Sequence, residues 1–199
     1  LKINSNVTSV LDLKDTLTLT SNNPVTRVDT TKILFFEKDS LAVSYEPHVE
    51  KSTNKIHFLF NKEYNSNYKL TLLPKALTDL YETQNDTLNY IFKTKDPEDY
   101  GSISLTINNN SSSPIYIELV KESDKKMIQK ITVSDSKNIL FEFIPPGRYI
   151  VRAIIDTNKN NKWDTGNYLK KVQPENVIYL PIIFNIKANW SFSEVFDID

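Results

Sequence analysis

The stretch Asp15-Thr16-Leu17-Thr18-Leu19-Thr20 alternates strictly between apolar and polar residues. In an extended chain successive side chains point to opposite faces, so these leucines line one face and the threonines the other. The same period returns in Ile56, Phe58 and Phe60, interleaved with His57 and Leu59, and again in Tyr68, Leu70 and Leu72 and in Leu88, Tyr90 and Phe92. A second series follows: Ile103, Leu105 and Ile107; Ile115, Ile117 and Leu119; Ile139, Phe141 and Phe143; Tyr149, Val151, Ala153 and Ile155. Val177 to Leu180 and then Ile182, Phe184 and Ile186 complete it. Short runs of this kind, separated by Asn, Ser, Asp and Pro, argue for an all-β fold, a sandwich or a barrel.

Three segments depart from the alternation. Pro74-Lys75-Ala76-Leu77-Thr78-Asp79-Leu80-Tyr81 spaces Leu77, Leu80 and Tyr81 at helical intervals and predicts one helical turn between two strands. Pro145-Pro146-Gly147 predicts a type II turn with Gly147 at positive φ. Lys95-Asp96-Pro97-Glu98-Asp99-Tyr100-Gly101 is polar and carries both Pro and Gly, which makes it the best boundary. The expected organisation is two tandem β-sandwiches, residues 1–96 and 102–199, with a short linker at 97–101.

Composition narrows the functions. The 24 basic and 25 acidic residues nearly cancel, to a net charge of −1, so no basic field invites a nucleic-acid partner. With only 3 glycines, a phosphate-cradling loop is not expected. With 0 cysteines there is no disulfide framework, thiolate metal site or cysteine nucleophile. No apolar run reaches the about 18 residues of a membrane span. Lysine far outnumbers arginine, and asparagine is abundant, which fits an AT-rich genome. Because the chain starts at Leu1 rather than Met, a leader or lipid anchor is expected upstream.

The run from Leu17 to Val25, followed by Asp29-Thr30-Thr31-Lys32-Ile33, resembles the bacterial Ig-like domain first described in S-layer proteins. Ser21 stands where that family commonly has Phe. Tyr68 to Pro74, Ala76-Leu77-Thr78-Asp79 and Phe92-Lys93-Thr94 extend the resemblance over roughly residues 8 to 96. From Gly101 onward the chain is similar to the transthyretin-like or carboxypeptidase-regulatory-like β-sandwich and to the B-type repeats of Gram-positive adhesins. That likeness rests on Phe141-Glu142-Phe143-Ile144-Pro145-Pro146-Gly147-Arg148-Tyr149 and Arg152-Ala153-Ile154-Ile155-Asp156. The tandem, closing on Lys162-Trp163-Asp164-Thr165-Gly166-Asn167-Tyr168, resembles the end of Bacteroidota surface proteins, many of them lipoproteins. The resemblance implies an exported, cell-surface or outer-membrane-associated chain.

The strongest local motif is Asp156-Thr157-Asn158-Lys159-Asn160-Asn161-Lys162-Trp163-Asp164. Side-chain oxygens of Asp156, Asn158, Asn160 and Asp164, with the carbonyl of Lys162, have the spacing of a calcium loop. A plain Asx-turn connection fits the same residues. As a calcium site the loop is expected to be weak and structural. It has only two charged ligands, Lys159 and Lys162 oppose a cation, Asn161 replaces the usual Gly, and the twelfth position is Asn167 rather than Glu. His48 and His57 could meet across a hairpin, but no third metal ligand of matching character stands out. Trp163 and Trp190 could stack on sugars or brace hairpins, and Tyr100 and Tyr168 read as packing residues.

No acid–base pair is singled out by its spacing, so the expectation is a protein that is not an enzyme. The first reading is a structural, adhesion or protein-interaction module with protein partners at the cell envelope. The alternative is a carbohydrate-binding accessory module with a glycan partner.

Overall fold

A computed structural model describes residues 1–38, 40–110 and 113–198. The chain divides into two compact units, Leu1–Asp96 and Pro97–Asp199. Among the described residues no helix is long and apolar enough to cross a membrane.

Unit 1 contains β1 (Ile3–Ser5), β2 (Val10–Leu11), β3 (Leu17–Ser21), β4 (Val25–Val28), β5 (Ile33–Glu37) and β6 (Leu41–Ala42). It continues with β7 (Tyr45–Glu50), β8 (Lys55–Phe60), β9 (Asn67–Leu72), β10 (Leu77–Asp79) and β11 (Leu88–Thr94). One sheet has the order β1-β3-β8-β7, the other β2-β11-β9-β5-β6, and β4 and β10 form a separate ribbon. The alternating residues behave as their period requires. Leu17, Leu19, Ile56 and Phe58 are buried from one sheet, and Phe35, Tyr68, Leu70, Leu72 and Phe92 from the other. Edge-on and stacked rings knit this core, with Phe35 and Phe60 centred 4.8 Å apart and Tyr68 and Phe92 5.5 Å apart. The result is an Ig-like β-sandwich.

Unit 2 contains β12 (Gly101–Asn109), β13 (Ile115–Lys121), β14 (Met127–Val133), β15 (Lys137–Ile144), β16 (Gly147–Ile155), β17 (Val177–Ile186) and β18 (Ser191–Ile198). Its sheets have the orders β15-β12-β18 and β14-β13-β16-β17. Ile103, Leu105, Ile107 and Phe141 face Ile117, Leu119, Val151 and Phe184 across a second, separate core. A fully buried side chain of this size contributes about 1.5–3 kcal/mol, so each unit has its own driving force for folding.

The first strand of unit 2 pairs with its last in parallel. Ser102 stands opposite Ser191 at the first of eight register positions, and Asn109 opposite Ile198 at the last. The ladder is closed at its two ends by Ser102 N donating to the Trp190 carbonyl (2.9 Å) and Asn110 N to the Ile198 carbonyl (3.0 Å). Unit 1 has a shorter counterpart, in which β11 pairs in parallel with β2 through Lys93–Val10 and Thr94–Leu11.

The segment expected to be a helical turn is a strand. Lys75 takes a φ of 67°, which breaks a right-handed helix at its first turn. Leu77 and Thr78 then pair with Val28 and Arg27, and Leu77 N donates to Asn85 Oδ1 at 2.7 Å. Leu77 is buried whereas Leu80 and Tyr81 are exposed, so the helical spacing does not describe a common face. A partner strand outweighs a weak local preference.

The type II turn at Pro146-Gly147 is also absent. Gly147 has a φ of 157°, far from the about +80° of that turn, and already belongs to β16. The left-handed residue is Phe143, at 52°, near the end of β15. The Pro145 carbonyl is engaged by the Tyr149 hydroxyl at 2.8 Å. Two other sites leave no room beyond glycine. A Cβ at Gly101 would lie 2.6 Å from Ile186 Cγ2 and 2.8 Å from the Trp190 carbonyl. At Gly166, which has a φ of 76°, a Cβ would lie 2.6 Å from Pro174 N.

Candidate functional site

The connection between β16 and β17 is wound around the side chains of its own aspartates and asparagines. Asp156, buried at the end of β16, accepts from Asn160 N through Oδ1 (3.1 Å) and from Asn161 N through Oδ2 (2.8 Å). Asn158 Oδ1 accepts from Asn160 N at 3.0 Å, and Asn160 Oδ1 from Lys162 N at 2.8 Å. Short Asx side chains form such turns readily, and Asn tolerates the left-handed backbone that Asn161 adopts at 64°. The loop thus gathers Asp156, Asn158, Asn160 and Asp164, with both amide nitrogens donating to Asp164 Oδ2. Lys162 enters this network through its N–H.

Glu175 was missed by the sequence reading. It is buried, and its Oε1 accepts from Thr157 N (2.8 Å) and Thr157 Oγ1 (3.1 Å), while Oε2 accepts from Asp164 N (3.2 Å). It therefore ties the second residue of the loop to the ninth. Trp163 Nε1 donates to the Glu175 carbonyl at 3.0 Å, and Glu175 N to the Asp164 carbonyl at 3.0 Å. No sequence spacing could have revealed this, because Gly166 and the bridge between Asn167 and Val172 fold the intervening chain back. Asn167, at the twelfth position, makes that bridge and accepts from Lys170 N. The donor set is made of hard oxygens from two aspartates and two asparagines beside a glutamate, the chemistry calcium prefers. Among the described residues no group of three or more His, Cys, Asp or Glu side chains is gathered to hold a metal. The amide oxygens would have to supply part of any coordination.

The histidines do meet. His48 and His57 are register partners on β7 and β8, their rings stacked 6.4 Å apart. His57 Nδ1 lies 3.0 Å from Thr18 Oγ1 and Nε2 lies 3.4 Å from Glu50 Oε2, so both ring nitrogens of His57 are committed. Hydrogen bonds from Thr53 and then His57 hold the Glu50 carboxyl below its ordinary value. This is a cross-strand pair, not a zinc site.

Trp190 braces the crossover from β17 in one sheet to β18 in the other, with Lys187 Nζ 4.5 Å above its ring and Phe192 at 6.3 Å. Tyr100 packs as expected, buried and 5.6 Å from Phe143. Tyr168 does not: it is 95% exposed, on a loop whose own backbone bridge needs no side-chain packing.

No family model matches the chain, and no curated protein matches it. Among solved structures it is similar to the native α2-macroglobulin of Escherichia coli spanning domains MG0-NIE-MG1, at 13% identity and a TM-score of 0.42, covering 90% of this chain and 70% of that one. It is similar to the N-terminal part of the bacterial S-layer protein SbsC at 13% identity and a TM-score of 0.43, covering 99% and 45%. It is also similar to the major pilin subunit of Bacillus cereus at 12% identity and a TM-score of 0.34, covering 98% and 69%. The chain spans less than half the length of the S-layer fragment.

Proposed function

We propose that this chain is a non-catalytic, load-bearing module of a bacterial cell surface, a spacer that also meets protein partners at the envelope. The observation that carries the reading is the parallel pairing of β12 with β18 over eight register positions. In a parallel pair both strands run the same way. The chain therefore enters unit 2 at one end of this ladder and leaves at the other. Tension applied through the chain loads all the rungs together in shear, and no rung can be opened alone. Resistance of this kind is governed by the unfolding rate rather than by equilibrium stability. The sequence resemblance to bacterial surface proteins supports placing the module outside the cell.

Single-molecule pulling of the full chain from its two ends tests this. Two rupture events are expected, the stronger belonging to unit 2. A unit 2 that opens at the lower force, strand by strand, would overturn the reading.

As a second element of this function, the Asp156–Asp164 loop takes one calcium ion weakly, as a rigidifying staple. What supports it is the oxygen donor set of Asp156, Asn158, Asn160, the Lys162 carbonyl and Asp164, with Glu175 alongside. A dissociation constant on the order of 10⁻⁴–10⁻³ M suits an extracellular module.

A further inference from the structure

The outer face of the four-stranded sheet in unit 2 is not bare. Tyr116 and Glu118 on β13 stand beside Ile154 and Arg152 on β16, and Arg152 stands beside Tyr179 on β17. The loop after β16 folds over one end of this face, with Lys130 Nζ donating to the Asn161 carbonyl and Thr132 Oγ1 to Asn161 Oδ1. Between loop and sheet lies a cavity of about 470 Å³ with Trp163 on its wall, inside the about 300–1,000 Å³ range of small-molecule sites.

One group in that cavity has no place in the fold's own bonding. Tyr116 is only 1% exposed, lines the cavity, and its hydroxyl has no hydrogen-bond partner among the described residues. Buried polar groups are nearly always satisfied, so an orphan of this kind needs a reason. The hydroxyl stays protonated: burial, followed by the charges of Glu118, Glu175 and Asp156, pushes its pKa up to about 12. It is therefore a donor as well as an acceptor. Lys130 Nζ sits 3.7 Å above the Tyr116 ring and fixes its orientation.

We propose that this cavity binds one residue of a neutral glycan, stacked on Trp163 and hydrogen-bonded by Tyr116, Glu118 and Arg152. The aromatic walls are available: Trp163 is 47% and Tyr179 48% exposed. The lining carries charges of both signs, Glu118 against Lys130, Arg152 and Lys162, with Asp156, Asp164 and Glu175 in the loop above. That balance favours neither an anion nor a cation. Glu118 and Arg152 are locked to each other at 2.7–2.8 Å, which presents a fixed acceptor and donor side by side. Adjacent hydroxyls of a sugar ring match such a pair, while its C–H face matches an indole. A purely apolar guest would leave the Tyr116 hydroxyl and the ion pair unserved. This site is independent of the load-bearing role, because β12 and β18 lie in the other sheet.

The experiment is a printed array of neutral and acidic oligosaccharides probed with the full chain, then titration of the best neutral binder against variants. Trp163→Ala and Glu118→Gln should each weaken binding by about tenfold or more. Tyr116→Phe should weaken binding while leaving the melting temperature unchanged or raised, because a hydroxyl with no protein partner contributes nothing to the fold. A structural role alone would give the opposite split. Binding to no neutral oligosaccharide, binding to acidic ones only, or affinity that survives all three substitutions would overturn the proposal.

Discussion

Unit 1 and unit 2 each close a sandwich by laying a late strand parallel to an early one, but to very different depths. In unit 1 the pairing of β2 with β11 covers two register positions; in unit 2 that of β12 with β18 covers eight. The cause lies in the chain entering each unit. In unit 1 the entering chain is split, β1 pairing with β3 in one sheet and β2 with β11 in the other. In unit 2 it is a single nine-residue strand between two partners. Two sandwiches with similar cores can thus differ sharply in how they bear tension, since that is set by strand connectivity and not by buried area.

The most severe test of this separation is core truncation. Phe141→Ala should cost unit 2 about 3–5 kcal/mol, and Phe58→Ala should cost unit 1 a like amount. Each loss should fall on its own unfolding transition in urea, followed by tryptophan fluorescence for unit 2 and by backbone dichroism for unit 1. If either substitution shifts both transitions equally, the units are one cooperative body and the comparison fails.

A smaller effect is expected in unit 2 from Glu175→Ala, which frees Thr157 and Asp164 from their shared acceptor. A loss of about 1–3 kcal/mol is expected. Unit 1 should be unaffected. An unchanged denaturation midpoint would show that the loop is held by its Asx turns alone.

Calcium sharpens the contrast further. At about 5 mM it should stabilise unit 2 by about 1–2 kcal/mol, given an affinity near 10⁻⁴–10⁻³ M. Asp156→Ala should abolish the shift. Equal melting curves with calcium and with a chelator would reduce the loop to a polar turn.

The mildest effect is a pH dependence in unit 1. Burial alone would raise the Asp79 carboxyl, but hydrogen bonds from Asn23, Thr83 and Tyr81 outweigh it and hold it below its ordinary value. A depressed folded value means the stabilisation is present above about pH 4 and is lost as pH falls through the lowered value. Acid titration of the unit 1 melting temperature should show this loss, and Asp79→Asn should reduce it, leaving the part due to Asp29, Glu37 and Glu50.

Much of the architecture could be read from the alternation of residues, because a half-buried strand imposes its period directly. The leucines at 17 and 19 and the isoleucines at 115 and 117 are buried as their spacing requires. β18 was harder to see: Phe192, Glu194, Phe196 and Ile198 alternate, but a charged residue interrupts the apolar face. β10 was misread because its pairing partner is distant in sequence. Of the loop, the Asx residues were legible because their spacing is local. Glu175 and the Tyr116 cavity were not, since each depends on a long connection folding back over a sheet.

The scarcity of glycine bears on how the chain tolerates substitution. With only 3 glycines, left-handed turn positions fall instead to residues such as Asn54, Asn65, Asn161 and Asn189. At Gly101 and Gly166 any added Cβ falls within 2.6 Å of a neighbour, and at Gly166 that neighbour is backbone that cannot step aside. At these two positions a steric veto bars every larger residue, so the chain tolerates substitution least where two of its few glycines stand.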